Sequence, residues 1–195
     1  MPTVKLNKNE VLKYIGRKIS DNELKEKIPM MGVDLEDVSK DEIIVEIFPN
    51  RPDMMSNVGF SRALSSFLGI KTGLRKYNVK KSNEKVIIDK NLRNIRPYTA
   101  AAIVKNLKLN QEKIKEVIQI QEKLHITYGK NRKKCAIGIY PFENIKMPIR
   151  FTAMEPEKII FKPLDFNKEI NAIEILEKHN AGKEYGYLLK EYDKY

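Results

Sequence analysis

Gln121 and His125 stand four residues apart on a segment whose apolar residues, Ile114, Val117, Ile118 and Leu124, recur at three- and four-residue steps. That is the period of an amphipathic helix. An amide on or beside such a stripe either braces a neighbouring backbone or contacts a ligand, because a buried amide without partners costs about 1–3 kcal/mol. His125 has no second histidine at metal-ligand spacing, which favours a satisfied structural role over a catalytic base. Directly after the helical segment comes Tyr128-Gly129-Lys130-Asn131-Arg132-Lys133-Lys134, four cations around a glycine turn. Such a loop can hold an RNA backbone by charge, with Tyr128 stacked on a base, or it can be an ordinary solvated turn.

A second constellation is Asn50-Arg51-Pro52-Asp53. Pro49 and Pro52 fix their own φ angles and keep Phe48 and Arg51 out of helical geometry, so a stiff loop presents the three polar side chains. Those side chains either brace a strand-to-helix corner or face a partner; Asn, Asp and Pro are also the usual turn formers. Beyond these, nucleophilic chemistry finds no support. There is no phosphate-cradling glycine loop, no Gly-x-Ser-x-Gly elbow and no pair of histidines four apart. Cys135 is the single cysteine and sits in an apolar run, where packing is its usual role, and with His125 and His179 the only histidines no metal centre is expected.

The elements that must carry these residues are marked by caps. Asn7 with Glu10, and Ser20 with Glu23, have capping-box spacing, so two helices start there. The first should end at Gly16 and the second at Pro29, with Gly32 turning the chain into a strand over 33–38. Residues 41–48 alternate as a second strand, and Ser56 can cap a helix burying Val58, Phe60, Ala63, Leu64, Phe67 and Leu68 up to Gly69. Residues 71–82 are basic and weakly periodic, a connector whose charges either touch RNA or are simply solvated. Strands are then expected at 85–88, 99–104, 135–139, 148–151 and 158–164, the long helix starts at Asn110, and Asn171 with Glu174 opens a last one. The tyrosine-rich tail to Tyr195 has no stop signal and reads as a domain cut short. The class is α+β, a small module over 1–80 followed by a larger mixed α/β domain over 81–195 that is truncated.

The 195 residues carry 37 Lys and Arg against 26 Asp and Glu, a net charge of +11 that favours a polyanionic partner. Lysine and isoleucine richness also fits an AT-rich genome or a heat-loving source. No run of 18 apolar residues occurs, and the Met1-Pro2-Thr3-Val4-Lys5 start lacks the pattern of a secretory signal. A cytoplasmic protein without a membrane partner is expected.

Six landmarks, in this order, carry a resemblance: Met1-Pro2-Thr3-Val4; Asn50-Arg51-Pro52-Asp53 with Gly59-Phe60-Ser61-Arg62-Ala63-Leu64; Ile95-Arg96-Pro97-Tyr98; Gln121-Glu122-Lys123-Leu124-His125; Ala136-Ile137-Gly138-Ile139; and Phe161-Lys162-Pro163-Leu164. Over nearly its whole length the chain resembles the amino-terminal part of the β subunit of archaeal and eukaryotic-type phenylalanyl-tRNA synthetase. The resemblance implies a structural first module and an editing-type α/β domain that hydrolyses tyrosine wrongly attached to phenylalanine tRNA. It also implies an α subunit in an α2β2 assembly, with ATP and magnesium used at the α subunit's class II site and no cofactor in this segment. By position, Gln121, Arg132 and Lys133 would be substrate or tRNA contacts, and Asn50, Arg51, Pro52 and Asp53 a structural motif. No catalytic residue is carried over, since many relatives have a His-Asp pair where this chain has Ile139-Tyr140-Pro141. The other readings are a non-catalytic tRNA-positioning fragment and a free-standing basic RNA-binding protein.

Overall fold

A computed structural model describes residues 3–195; the first two residues of the Met1-Pro2-Thr3-Val4 landmark lie outside the described residues. Helix and strand are mixed, as an α+β protein requires. Two compact units divide the chain: the segment up to Asn78 together with Leu107–Ile137, and Val79–Asn106 together with Gly138–Tyr195.

In the first unit an antiparallel sheet has the order β1 (Thr3–Asn7), β3 (Glu42–Glu46), β2 (Asp34–Val38). Period-two alternation sends Val4, Leu6, Ile43 and Val45 to one face, where all are buried, and the register pairs Val4 with Val45 and Leu6 with Ile43. Helices α1 (Lys8–Ile15), α2 (Asp21–Met30) and α3 (Asn57–Phe67) close over that face with Val11, Ile15, Leu24, Ile28, Phe60 and Leu64. Asn7, Ser20 and Ser56 each accept the backbone N–H three residues on, the bonds their spacing predicts. Gly16 ends α1 at φ 75°.

Two expectations need correction here. Helix α2 runs one residue past Pro29, to Met30; the ring removes the one N–H that would reach back four residues, and the Met31 and Gly32 N–H groups close the end on the Ile28 and Pro29 carbonyls, both at 3.0 Å. Phe67 does not face inward: at 44 % exposure it lies on the outer side of α3, while Phe60 and Leu64 fill the core.

The corner between β3 and α3 is tightly built. Arg51 N–H donates to the Phe48 carbonyl at 2.9 Å, and Pro52–Met54 follow as a short 3-10 turn with Met54 and Met55 buried beneath it. A Cβ placed on Gly59 would lie 1.9 Å from the Asp53 carbonyl oxygen, so only glycine lets the turn lie on the first turn of α3.

Helix α4 (Gln111–Ile126), capped by Asn110, belongs to the same unit. Its amphipathic pattern does not produce a buried stripe: Ile114, Ile118 and Ile126 are exposed, and His125 alone on it is buried. Polar bonds tie it down instead. Lys123 Nζ donates to the Thr3 carbonyl at 3.3 Å, and just past the helix Thr127 Oγ1 lies 3.5 Å from Met55 Sδ.

The second unit holds a parallel pair, β4 (Val86–Ile88) with β5 (Ile149–Phe151), and an antiparallel pair, β6 (Ile160–Phe161) with β7 (Ile170–Asn171). Asn91 extends the first pair beyond its strands: its Nδ2 donates to the Ala153 carbonyl at 2.7 Å, and the Ala153 N–H donates to its Oδ1 at 3.3 Å. Helices α5 (Ala172–Lys178), capped by Asn171 as its spacing predicts, and α6 (Asn180–Tyr185) follow. The strands expected at 99–104 and 135–139 do not form; both segments are irregular, and that at 158–164 shrinks to two residues. A strand needs a partner's backbone to take its N–H and C=O groups, and no described residue supplies one at these positions.

Candidate nucleic-acid interface

The carboxy-terminal end of α4 and the loop after it form one bonded assembly. His125, 2 % exposed, accepts the Ile137 N–H on Nε2 at 2.7 Å. An acceptor Nε2 carries no proton, so in the neutral ring the proton is on Nδ1, which faces Glu122 Oε1 at 3.4 Å. Gln121 Nε2 donates to the carbonyl of the same Ile137 at 2.8 Å. Residues 121 and 125, one turn apart on α4, thus hold both backbone groups of Ile137 and fix where the chain leaves the loop.

Arg132 reaches back to Glu122, with Nη2 donating to Oε1 at 2.6 Å and to Oε2 at 2.7 Å. Burial pushes the Glu122 carboxyl up, but the Arg132 hydrogen bond and charge outweigh it and hold the group below the ordinary glutamate range. Between Gly129 and Lys133 the backbone is left-handed at three successive residues, Lys130 (φ 50°), Asn131 (52°) and Arg132 (67°). Each such residue costs roughly 1–2 kcal/mol in a non-glycine. The turn is held by bonds from Arg132 N–H to the His125 carbonyl (3.1 Å) and from Lys134 N–H to the Gly129 carbonyl (2.8 Å). Gly129 is enclosed by the His125 and Cys135 carbonyls, where a Cβ would sit 2.7 and 2.8 Å away.

The result is a rigid knuckle with cations on its outside. Lys130, Lys133 and Lys134 are exposed, and Lys134 Nζ lies 3.8 Å above the Tyr128 ring, a cation–π contact. Of the three residues expected at a substrate or tRNA contact, Gln121 and Arg132 have groups engaged in holding the loop, and Lys133 is on its exposed rim. Sequence reasoning overlooked Glu122. Its signal was present as a carboxylate three residues before His125 and ten before Arg132, but only the fold brings the three together.

The other expected constellation is about as rigid. Arg51 donates from Nε to Asp53 Oδ1 and from Nη2 to Oδ2, both at 3.0 Å. The Arg51 hydrogen bond holds the Asp53 carboxyl below the usual range, with burial opposing and the charges of Arg51 and Arg62 assisting. Asn50 is exposed at the tip. Among the described residues no three His, Cys, Asp or Glu side chains are grouped so as to hold a metal, and no helix is long and apolar enough to cross a membrane.

Comparison with known proteins found no matching family model. The chain is 36% identical to the phenylalanine–tRNA ligase β subunit of Methanosphaera stadtmanae over all of its own length and 35% of that protein's. With the β subunit of Pyrococcus horikoshii it shares 40% identity over 98% of its length, again 35% of the relative. The chain therefore spans about a third of the length of the curated relatives it matches. A crystal structure of an N-terminal fragment of the Pyrococcus horikoshii phenylalanyl-tRNA synthetase β subunit superposes with a TM-score of 0.88 at 39% identity, covering 100% of this chain and 57% of that one. The resemblance carried by the six landmarks thus holds along the whole chain, and its relatives are named as subunits of a ligase.

Proposed function

We infer that this chain, which matches archaeal phenylalanine–tRNA ligase β subunits from end to end, serves as the amino-terminal segment of such a subunit. The observation that carries the reading is similarity, along the whole of this chain, to part of an N-terminal fragment of that subunit in both sequence and fold. On it, residues 1–80 act as a structural module and 81–195 begin the editing domain, which removes tyrosine from mischarged phenylalanine tRNA. An apolar pocket rejects one added hydroxyl poorly, so a second, polar pocket that recognises it supplies what the first cannot. The knuckle at 128–134 meets the tRNA backbone through Lys130, Lys133 and Lys134, a charge-based contact that positions the strand without reading sequence. ATP and magnesium act at the α subunit's site in an α2β2 enzyme, in the cytoplasm, and no residue of this chain is assigned to them.

A second reading within the first is favoured by one observation. Gln121, Glu122, His125 and Arg132, the polar groups nearest the knuckle, are joined to one another or to backbone rather than arranged as nucleophile and base. Alone, the segment would then position tRNA and not hydrolyse. Deacylation of Tyr-tRNA by the 195-residue chain, by full-length β, and by β with its α subunit decides between them. Hydrolysis by the long forms only supports the segment role; hydrolysis by the short chain overturns the second reading. Failure of full-length β to co-purify with an α subunit overturns the ligase assignment.

A further inference from the structure

On the first unit, a cleft of about 340 Å³ lies between the Arg51–Asp53 turn and α3, lined by Met31, Arg51, Asp53, Arg62, Ser66 and Phe67. We propose that this cleft binds one nucleotide of a single-stranded RNA, with its phosphate on Arg51 and Arg62 and its base on Phe67. The inference stands on the cleft alone and does not need the ligase reading.

Four observations converge on it. Arg51 is pre-aimed: two of its five N–H donors are committed to Asp53, side by side at 3.0 Å, which fixes the guanidinium plane and leaves its other N–H groups for an acceptor. Arg62 and Ser66 lie four residues apart on α3, so their side chains stand one above the other on a single face of that helix. Two guanidiniums and a hydroxyl around one cleft are the donors a phosphodiester accepts. Only Asp53 opposes them there, and Arg51 already neutralises it.

The third observation is Phe67. A core helix of this amphipathic kind should bury it, yet the ring is 44 % exposed at the edge of the cleft, with Met31 as the other apolar wall. An exposed ring beside arginines is what an unstacked base needs, and base-paired RNA cannot offer a free base face. The fourth is the segment after α3. Tyr77 returns to Arg62, its hydroxyl 3.5 Å from Nη1, and the stretch between brings Lys71, Arg75 and Lys76, all exposed, into the same unit. With a net charge of +11 on the whole chain, the long-range field favours a polyanion over a small carboxylate ligand.

Binding of a fluorescein-labelled, unstructured RNA of about 12 nucleotides to the 195-residue chain, followed by anisotropy across a salt series, tests the proposal. Arg62→Gln should lower affinity about fivefold and reduce the slope of log K against log salt by about 0.7, one phosphate contact fewer on a single strand. Phe67→Ala, and Phe67→Leu with most of the apolar volume kept, should each lower affinity at least fivefold with the slope unchanged. Both residues are exposed, so circular dichroism melts should match the parent. The double change Lys133→Gln with Lys134→Gln should leave the Arg62 and Phe67 effects intact. The proposal fails if both the Arg62 and Phe67 variants bind within twofold of the parent. It also fails if Arg62→Gln weakens polyglutamate as much as RNA, which would make the cleft a carboxylate-binding protein surface.

Discussion

His125 Nε2 accepts the Ile137 N–H at 2.7 Å, so a side chain on α4 replaces the strand partner that residue 137 lacks. The imidazole is 2 % exposed and its loss would leave a backbone donor unpaired next to a cavity. His125→Ala should therefore cost about 1–3 kcal/mol. Urea unfolding with an unchanged m-value checks this, and His125→Gln should recover part of the loss if its amide oxygen reaches the same N–H.

Glu122 is the hinge pin between Arg132 and His125, but its side chain is 40 % exposed and water screens the pair. Glu122→Gln should lower global stability by less than about 1 kcal/mol. The local consequence should be larger: amides of Arg132 and Lys134, bonded to the His125 and Gly129 carbonyls, should exchange with deuterium distinctly faster. Equal exchange in parent and variant would remove Glu122 from the account of the knuckle.

Glu116 is a carboxyl in the wrong place for a charge. Burial raises its pKa first and the nearby Glu10 charge raises it further, against weaker lowering by the Val58 N–H and Tyr14. The folded state thus holds this proton more tightly than the unfolded one, and the associated stability is present below the unfolded value near 4.5 and lost as pH rises through the raised folded value. Glu116→Gln should accordingly raise the melting temperature at pH 7 and make no difference below about pH 4. A variant that melts lower than the parent at pH 7 would show that the hydrogen bonds outweigh the desolvated charge.

Gly59→Ala should be among the most damaging single changes in the first unit. The new methyl would lie 1.9 Å from the Asp53 carbonyl oxygen, backbone against backbone, and neither the proline-locked turn nor α3 can yield cheaply. A loss of about 1–3 kcal/mol in thermal unfolding is expected, together with loss of the Arg51–Asp53 geometry.

Local chemistry was legible in the sequence, and long-range chemistry was not. Asn7, Ser20, Ser56, Asn110 and Asn171 each cap the helix their spacing marked, because a cap bonds within three residues. The Pro49–Pro52 corner was likewise readable, since each proline restricts its own neighbourhood. Phe67 fits the helical period of a core residue and still faces out, because period alone does not say how wide a face the rest of the unit covers. The segments at 99–104 and 135–139 have strand composition without strand structure, since pairing is a property of two segments and composition of one. At the knuckle the basic loop could be seen, but not that His125 and Gln121 spend their polar groups on Ile137, a pairing across 12 and 16 residues.

The left-handed run Lys130-Asn131-Arg132 restricts how this loop can drift. Valine, isoleucine or threonine at any of the three would press a branched Cβ against the following carbonyl, so neutral substitution there is confined to glycine, asparagine, aspartate and unbranched long side chains. Contour and positive charge are consequently written in the same few letters, and a mutation that erases one is apt to disturb the other.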